Sequence, residues 1–322
     1  MQDAARQTPD HGLDPDIGRF VSAVMAETAR LSGGRALTLR EQRAIAEQVR
    51  APWRQGGPAM ARTTEQEVPT PHGSVRIRVH NPGVTAPAAA LVYLHGGGWT
   101  LFSLDTHDRV MREYAARADI VVIGVDYSLS PEVRYPVALE QVVAFIRWLR
   151  EHGARLGIDP ARLALGGDSA GGNLSLAAAL TLRDAGEGDA IKALLLIYPA
   201  VQAHCSEEAL RHHGGEGAML TGEEMASFWD QYVPASQRDD PLVCPILADM
   251  AGLPASCITI AERDILAEQC RDLAVRLAVA GVPVETTVYP GATHSFIEAV
   301  SISPLAERAI ADGAEFLVRR LA

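Results

Sequence analysis

The chain has 322 residues, 48% of them hydrophobic and 21% charged, enough to bury one large core or two modest ones. A net charge of −11 without a basic cluster speaks against nucleic acid or an anionic membrane surface as a partner. Met1 to Gly12 is polar and lacks the apolar core of a secretory signal, no apolar run approaches the roughly 18 residues of a membrane span, and the cysteines have no C-x-x-C spacing, so a cytoplasmic protein with reduced thiols and no zinc site is expected.

Two helical patterns open the chain, over 17–31 and 39–49, followed by a Pro- and Gly-rich loop over 51–57. Strands and helices then alternate. Strands are predicted over 75–80, 89–94, 120–126, 163–165, 193–198, 257–260 and 284–289, several as unbroken β-branched or Leu runs that suit parallel strands buried on both faces. Helices are predicted over 106–118, 137–151, 173–183, 267–280 and 305–321. This alternation predicts an α/β fold with a doubly wound, mostly parallel sheet. One segment breaks the rhythm. Between Tyr198 and Cys257 the chain runs through a polar, His- and Gly-rich piece (204–217), a helix over 221–233, and a loop holding Pro241 and Pro245. An excursion of this length reads as a lid. The expected division is an N-terminal helical cap segment over 1–57 and a catalytic domain over 58–322 with a cap insertion at about 202–245. Together the cap pieces would cover the C-terminal ends of the strands, where open α/β sheets bind ligands. The helix over 305–321 carries an apolar face. Burial against the sheet is its simpler account, and a homodimer contact is the alternative.

Gly167-Asp168-Ser169-Ala170-Gly171 lies between the apolar run 163–165 and a helical pattern beginning at Asn173. A strand, a sharp turn and a helix would lift the Ser169 hydroxyl above the sheet, with Ala170 offering its amide at a helix N-terminus. His95-Gly96-Gly97-Gly98-Trp99 follows the strand over 89–94. Its bare amides, from two of Gly96, Gly97 and Gly98, would stabilise a developing negative charge, and the sequence leaves open which two. His95 itself reads as a brace for the loop. His294, in Thr293-His294-Ser295-Phe296, falls just after the last strand, where a general base can reach the serine. Asp264, in Glu262-Arg263-Asp264-Ile265-Leu266, falls past the preceding strand and would orient that imidazole, with Glu262 and Glu268 as rivals. Trp99, Phe228, Trp229 and Tyr232 are candidate pocket walls, with plain core packing as the competing account for each.

These motifs, together with Asp126-Tyr127-Ser128-Leu129-Ser130-Pro131-Glu132, resemble the hormone-sensitive-lipase-like group of α/β-hydrolases, and within it the bacterial acetyl esterases. Leu104-Asp105-Thr106-His107-Asp108-Arg109 and Asp312-Gly313-Ala314-Glu315-Phe316 are similar to that subgroup as well. The likeness runs from about Val68 to the C-terminus. It implies a triad of Ser169, Asp264 and His294, an oxyanion hole from the glycine loop and Ala170, a two-part cap, and short-chain acyl substrates from acetyl to about hexanoyl. The group commonly carries Arg and Ala where this chain has Ser128 and Ser130, as the acetyl esterase subgroup does. It also favours Pro after the triad aspartate, where this chain has Ile265.

The expected reaction is hydrolysis of a small-molecule ester through an acyl-enzyme, with no metal or cofactor. The same machinery would serve an amide or N-acetyl deacetylase. A binding protein on a hydrolase scaffold is a third reading, disfavoured because all three triad residues are present.

Overall fold

The computed structural model describes residues 12–322, so the polar segment preceding Gly12, including His11, lies outside the described residues. Helix α1 (Pro15–Ser32) starts where Asp14 accepts hydrogen bonds from the amides of Asp16 and Ile17, and it ends at Gly33 in the left-handed conformation. Helix α2 (Leu39–Arg50) begins at a capping box in which Thr38 and Glu41 satisfy each other's backbone amides. Then come β1 (Arg62–Thr70), β2 (Gly73–Asn81), β3 (Ala88–Leu94), α3 (Asp108–Ala118), β4 (Val121–Asp126), α4 (Val137–His152), β5 (Ile158–Asp168), α5 (Ala170–Asp184) and β6 (Ala193–Ile197). The remainder is α6 (Glu207–His213), α7 (Gly222–Tyr232), β7 (Ala255–Ala261), α8 (Ala267–Val279), β8 (Val284–Tyr289) and α9 (Pro304–Leu321).

The eight strands form one sheet in the order β1-β2-β4-β3-β5-β6-β7-β8. Strand β2 is antiparallel to both neighbours, and every pairing from β4 through β8 is parallel. The doubly wound, mostly parallel expectation therefore holds. Strand β3 is buried throughout, yet its side chains alternate between two cores. Ala90, Val92 and Leu94 join the core that also holds the buried faces of α4, α5 and α8, whereas Ala89, Leu91 and Tyr93 join the core of α1, α3 and α9. The apolar face of α9 is buried against α3 and the sheet.

Two elements differ from the sequence expectation. β1 was not predicted, because Val68 is its single buried residue and no apolar alternation marks it; it forms by pairing with β2 over its full length. The polar piece after Tyr198 contains the short helix α6, capped by Ser206. Among the described residues no helix is long and apolar enough to cross a membrane.

Candidate active site

Ser169 stands at the junction of β5 and α5 with φ +52° and ψ −116°, a conformation rarely held by a residue with a side chain. The amide of Ser169 donates to the Ile197 carbonyl at 2.9 Å, and its carbonyl accepts from Asn173 and Ala200, so both sides of the strained residue are pinned. The turn is tight enough to exclude any Cβ at its flanks: one added at Gly167 or Gly171 would lie 2.1 or 1.9 Å from the Leu94 carbonyl oxygen.

His294 follows β8, and Asp264 follows β7. The structure brings both to Ser169. Ser169 Oγ lies 3.0 Å from His294 Nε2, and His294 Nδ1 lies 2.7 Å from Asp264 Oδ2. With the carboxylate accepting from Nδ1–H, Nε2 is left free to accept the serine proton. Asp264 is fixed in turn, because its Oδ1 accepts the Leu266 amide at 3.0 Å. All three residues are buried, and the Tyr198 ring packs beside the imidazole with centroids 4.9 Å apart. Burial opposes a charge on His294, but Asp264, by its charge and its hydrogen bond, with help from Asp168 and Glu298, outweighs it and raises the pKa above the ordinary value. The two acidic rivals stand elsewhere: Glu262 accepts the Gly291 amide, and Glu268 is exposed.

The glycine loop after β3 requires a correction. The Gly96 amide donates to Asp168 Oδ1 at 3.1 Å and is therefore spent on bracing, so Gly96 leaves the set of candidate oxyanion donors. Gly97, Gly98 and Ala170 line the cavity beside Ser169 and His294. His95 is packed against the loop. Its Nδ1 donates to the Gly96 carbonyl at 2.7 Å and its ring stacks on Tyr127 at 4.6 Å, while burial and the neighbouring His107 push its pKa down to about 4.

Asp168 turns out to be the hub beneath the site. Besides Gly96 it accepts from the Tyr93 hydroxyl at 2.8 Å and from His107 Nε2 at 3.3 Å, every partner buried. Burial penalises both charges of the Asp168–His107 pair. Their mutual attraction outweighs it, holding the carboxyl below and the imidazole above their ordinary values. Sequence reasoning gave His107 no role of its own. Its only signal was its place in the 104–109 motif.

The cavity above Ser169 has a volume of about 780 Å³. Its walls come from the glycine loop, from α1 and α2, and from residues between Ala218 and Gln231, several of them on α7. Of the four predicted aromatic wall residues, Trp99 and Phe228 line it. Trp229 and Tyr232 do not: they are fully buried on the inner face of α7, where Tyr232 stacks flat on Trp99 at 4.2 Å and Trp229 packs against it at 4.6 Å. Their large apolar rings make the floor that fastens α7 to the glycine loop. Phe228 reaches over that loop so closely that a Cβ on Gly98 would fall 2.3 Å from its ring. Among the described residues no three His, Cys, Asp or Glu side chains gather so as to hold a metal ion.

A family model described as the alpha/beta hydrolase fold matches residues 91–298. The chain belongs to this α/β-hydrolase family, in its hormone-sensitive-lipase-like group. It is 35% identical over 271 residues to an acetyl esterase of Salmonella paratyphi A, covering 84% of this chain and 83% of that one. Among solved structures it is similar to a hyperthermophilic esterase from Pyrobaculum calidifontis, with a TM-score of 0.89, 30% identity, and 95% and 98% of the two chains covered. A thermostable esterase from Pseudomonas putida matches with a TM-score of 0.89, 29% identity, and 98% and 99% coverage.

Proposed function

We propose that this carboxylic ester hydrolase is a serine esterase of short-chain acyl esters, acetyl to about hexanoyl, working through an acyl-enzyme. The observation that carries the mechanism is the hydrogen-bonded chain from Ser169 through His294 to Asp264, opening into a cavity beside the Gly97, Gly98 and Ala170 amides. Ser169 Oγ attacks the ester carbonyl as His294 Nε2 takes its proton. Asp264 holds the imidazole in the productive tautomer and stabilises its charged form. The amides of Gly97, Gly98 and Ala170 receive the oxyanion, and fixed donors of this kind need no reorganisation as charge develops. His294 then returns the proton to the leaving alcohol, and water repeats the sequence to release the acid.

In this reading α1, α2 and the excursion over 202–245 form the cap, and the remainder from residue 58 is the catalytic domain. Support for short acyl chains comes from the acetyl esterase relatives. The cavity, at about 780 Å³, has room for both the acyl and the alcohol portion of a small ester. The test is initial rates on p-nitrophenyl esters of increasing acyl length, for the wild type and Ser169→Ala. A rate peaking between acetyl and hexanoyl and falling by about 10⁵–10⁶ in the variant is expected. Activity surviving in the variant removes Ser169 as nucleophile, and an inert wild type that cleaves the matching acetamide makes the protein an amide hydrolase.

A further inference from the structure

Arg50, the last residue of α2, is 7% exposed, a depth at which an arginine needs compensation. Its Nε donates to Glu298 Oε2 at 2.6 Å, and Glu298 is itself 3% exposed, in the 3-10 helix (Phe296–Ser301) that begins two residues after His294. The other carboxylate oxygen, Glu298 Oε1, has no hydrogen-bond partner among the described residues, so Arg50 is the partner on which this buried charge depends. The same guanidinium lies over two rings, Phe20 of α1 at 5.7 Å and Phe102 at 5.0 Å. Phe102 in turn fills the space where a side chain on Gly97 would stand. One side chain thus joins both N-terminal helices, the segment carrying the general base, and the glycine loop.

We infer that Arg50 is a positioning residue for catalysis: through Glu298 and Phe102 it sets the His294 segment and the Gly97–Gly98 loop in register, and it balances a buried carboxylate that would otherwise act on His294. The inference rests on the serine-esterase reading above. It makes the N-terminal helices part of the working site as well as part of its wall. The charged and titratable groups around His294 are Asp264 after β7, Asp168 and Ser169 at the β5–α5 turn, Tyr198 after β6, and Glu298; Glu298 also acts on His107 and Tyr198. Of these, Glu298 is the one whose charge is met by α2.

The two halves of the pair therefore act on the imidazole with opposite sign. Glu298 favours the protonated form and raises the pH at which the base becomes available. Arg50 opposes that. Both consequences are read from the acid limb of kcat/KM on p-nitrophenyl acetate, with kcat and KM measured separately. Arg50→Met should lower kcat roughly 10–100-fold with little change in KM, from the misplaced base and loop, and should move the acid-limb midpoint up by on the order of half a pH unit. Glu298→Gln should move the midpoint down by a similar amount, and Arg50→Met with Glu298→Gln should return it to the wild-type value. Midpoints unchanged in both single variants, or moved the same way, overturn the inference even where rates fall. If Arg50→Met does not fold, Glu298→Gln decides alone: an unmoved midpoint refutes. A wild type with no acid limb at all contradicts the His294 reading instead, so the two failures are distinguishable.

Discussion

The β5–α5 turn and the excursion between β6 and β7 both border one cavity and are held in place by different means. At the turn, backbone meets backbone: the Ser169 amide and carbonyl are both bonded, and Gly167 and Gly171 press on the Leu94 carbonyl with no room for a Cβ. In the excursion, side chains do the holding: Tyr232 and Trp229 pack on Trp99, Tyr135 donates to Asp240, and the Asn173 amide donates to the Val243 backbone carbonyl. The first construction tolerates almost no change in position and suits the reacting atoms. The second can exchange one apolar shape for another and suits the wall that selects a substrate. Substitutions in the first region are thus expected to remove rate, and those in the second to redistribute it among substrates.

The largest effect that sharpens this contrast is Asp264→Asn. Loss of the correct imidazole tautomer should cost on the order of 10³–10⁴ in kcat, whereas Glu262→Gln should cost little. Steady-state kinetics on one short-chain ester checks both, and reversed results would make Glu262 the orienting acid in place of Asp264. Next is Asp168→Asn, which takes from the buried His107 the carboxylate that favours its protonated form, and from Tyr93 and the Gly96 amide their charged acceptor. Breaking such a pair costs about 3–5 kcal/mol, a fall in melting temperature on the order of 10 °C. A calorimetric scan showing no fall would mean that the hub under the turn carries no load.

The pH dependence follows from the electrostatics of the site. His294 must be neutral to accept a proton, and its pKa lies above the ordinary 6.5. Activity should therefore fall as pH drops through a midpoint above 6.5, by about tenfold per unit below it. A profile flat from pH 5 to 8 would contradict the assignment. The smallest expected effect belongs to the excursion. Phe228→Ala should leave the best rate within about tenfold while shifting the acyl-length optimum upward. An unchanged optimum would show that another wall selects the acyl group.

Much of this molecule is legible in its sequence, for identifiable reasons. The parallel strands are unbroken apolar runs, and the Ser169 turn, the glycine loop and the loops carrying Asp264 and His294 are local signals tied to strand ends. The rest is what a local pattern cannot encode. Strand β1 buries only Val68 and exists through its pairing with β2. Asp168, His107, Arg50 and Glu298 are charged or polar residues that a sequence would leave at the surface. Their burial is set by partners 61 and 248 positions away in the chain. The choice among the three glycines turned on one such contact, because the Gly96 amide is engaged by a carboxylate that becomes its neighbour only on folding. Trp229 and Tyr232 share the apolar face of α7 with the buried core, and a helical pattern alone does not separate cavity wall from floor.

The most direct test of the central claim is covalent. The protein is incubated with a serine-reactive organophosphate, and the peptide spanning Gly167 to Gly171 is examined by mass spectrometry alongside residual esterase activity. The account predicts one adduct per chain, on Ser169, forming in step with the loss of activity. Full inactivation with Ser169 unmodified, or an adduct on Ser169 with activity intact, would contradict it.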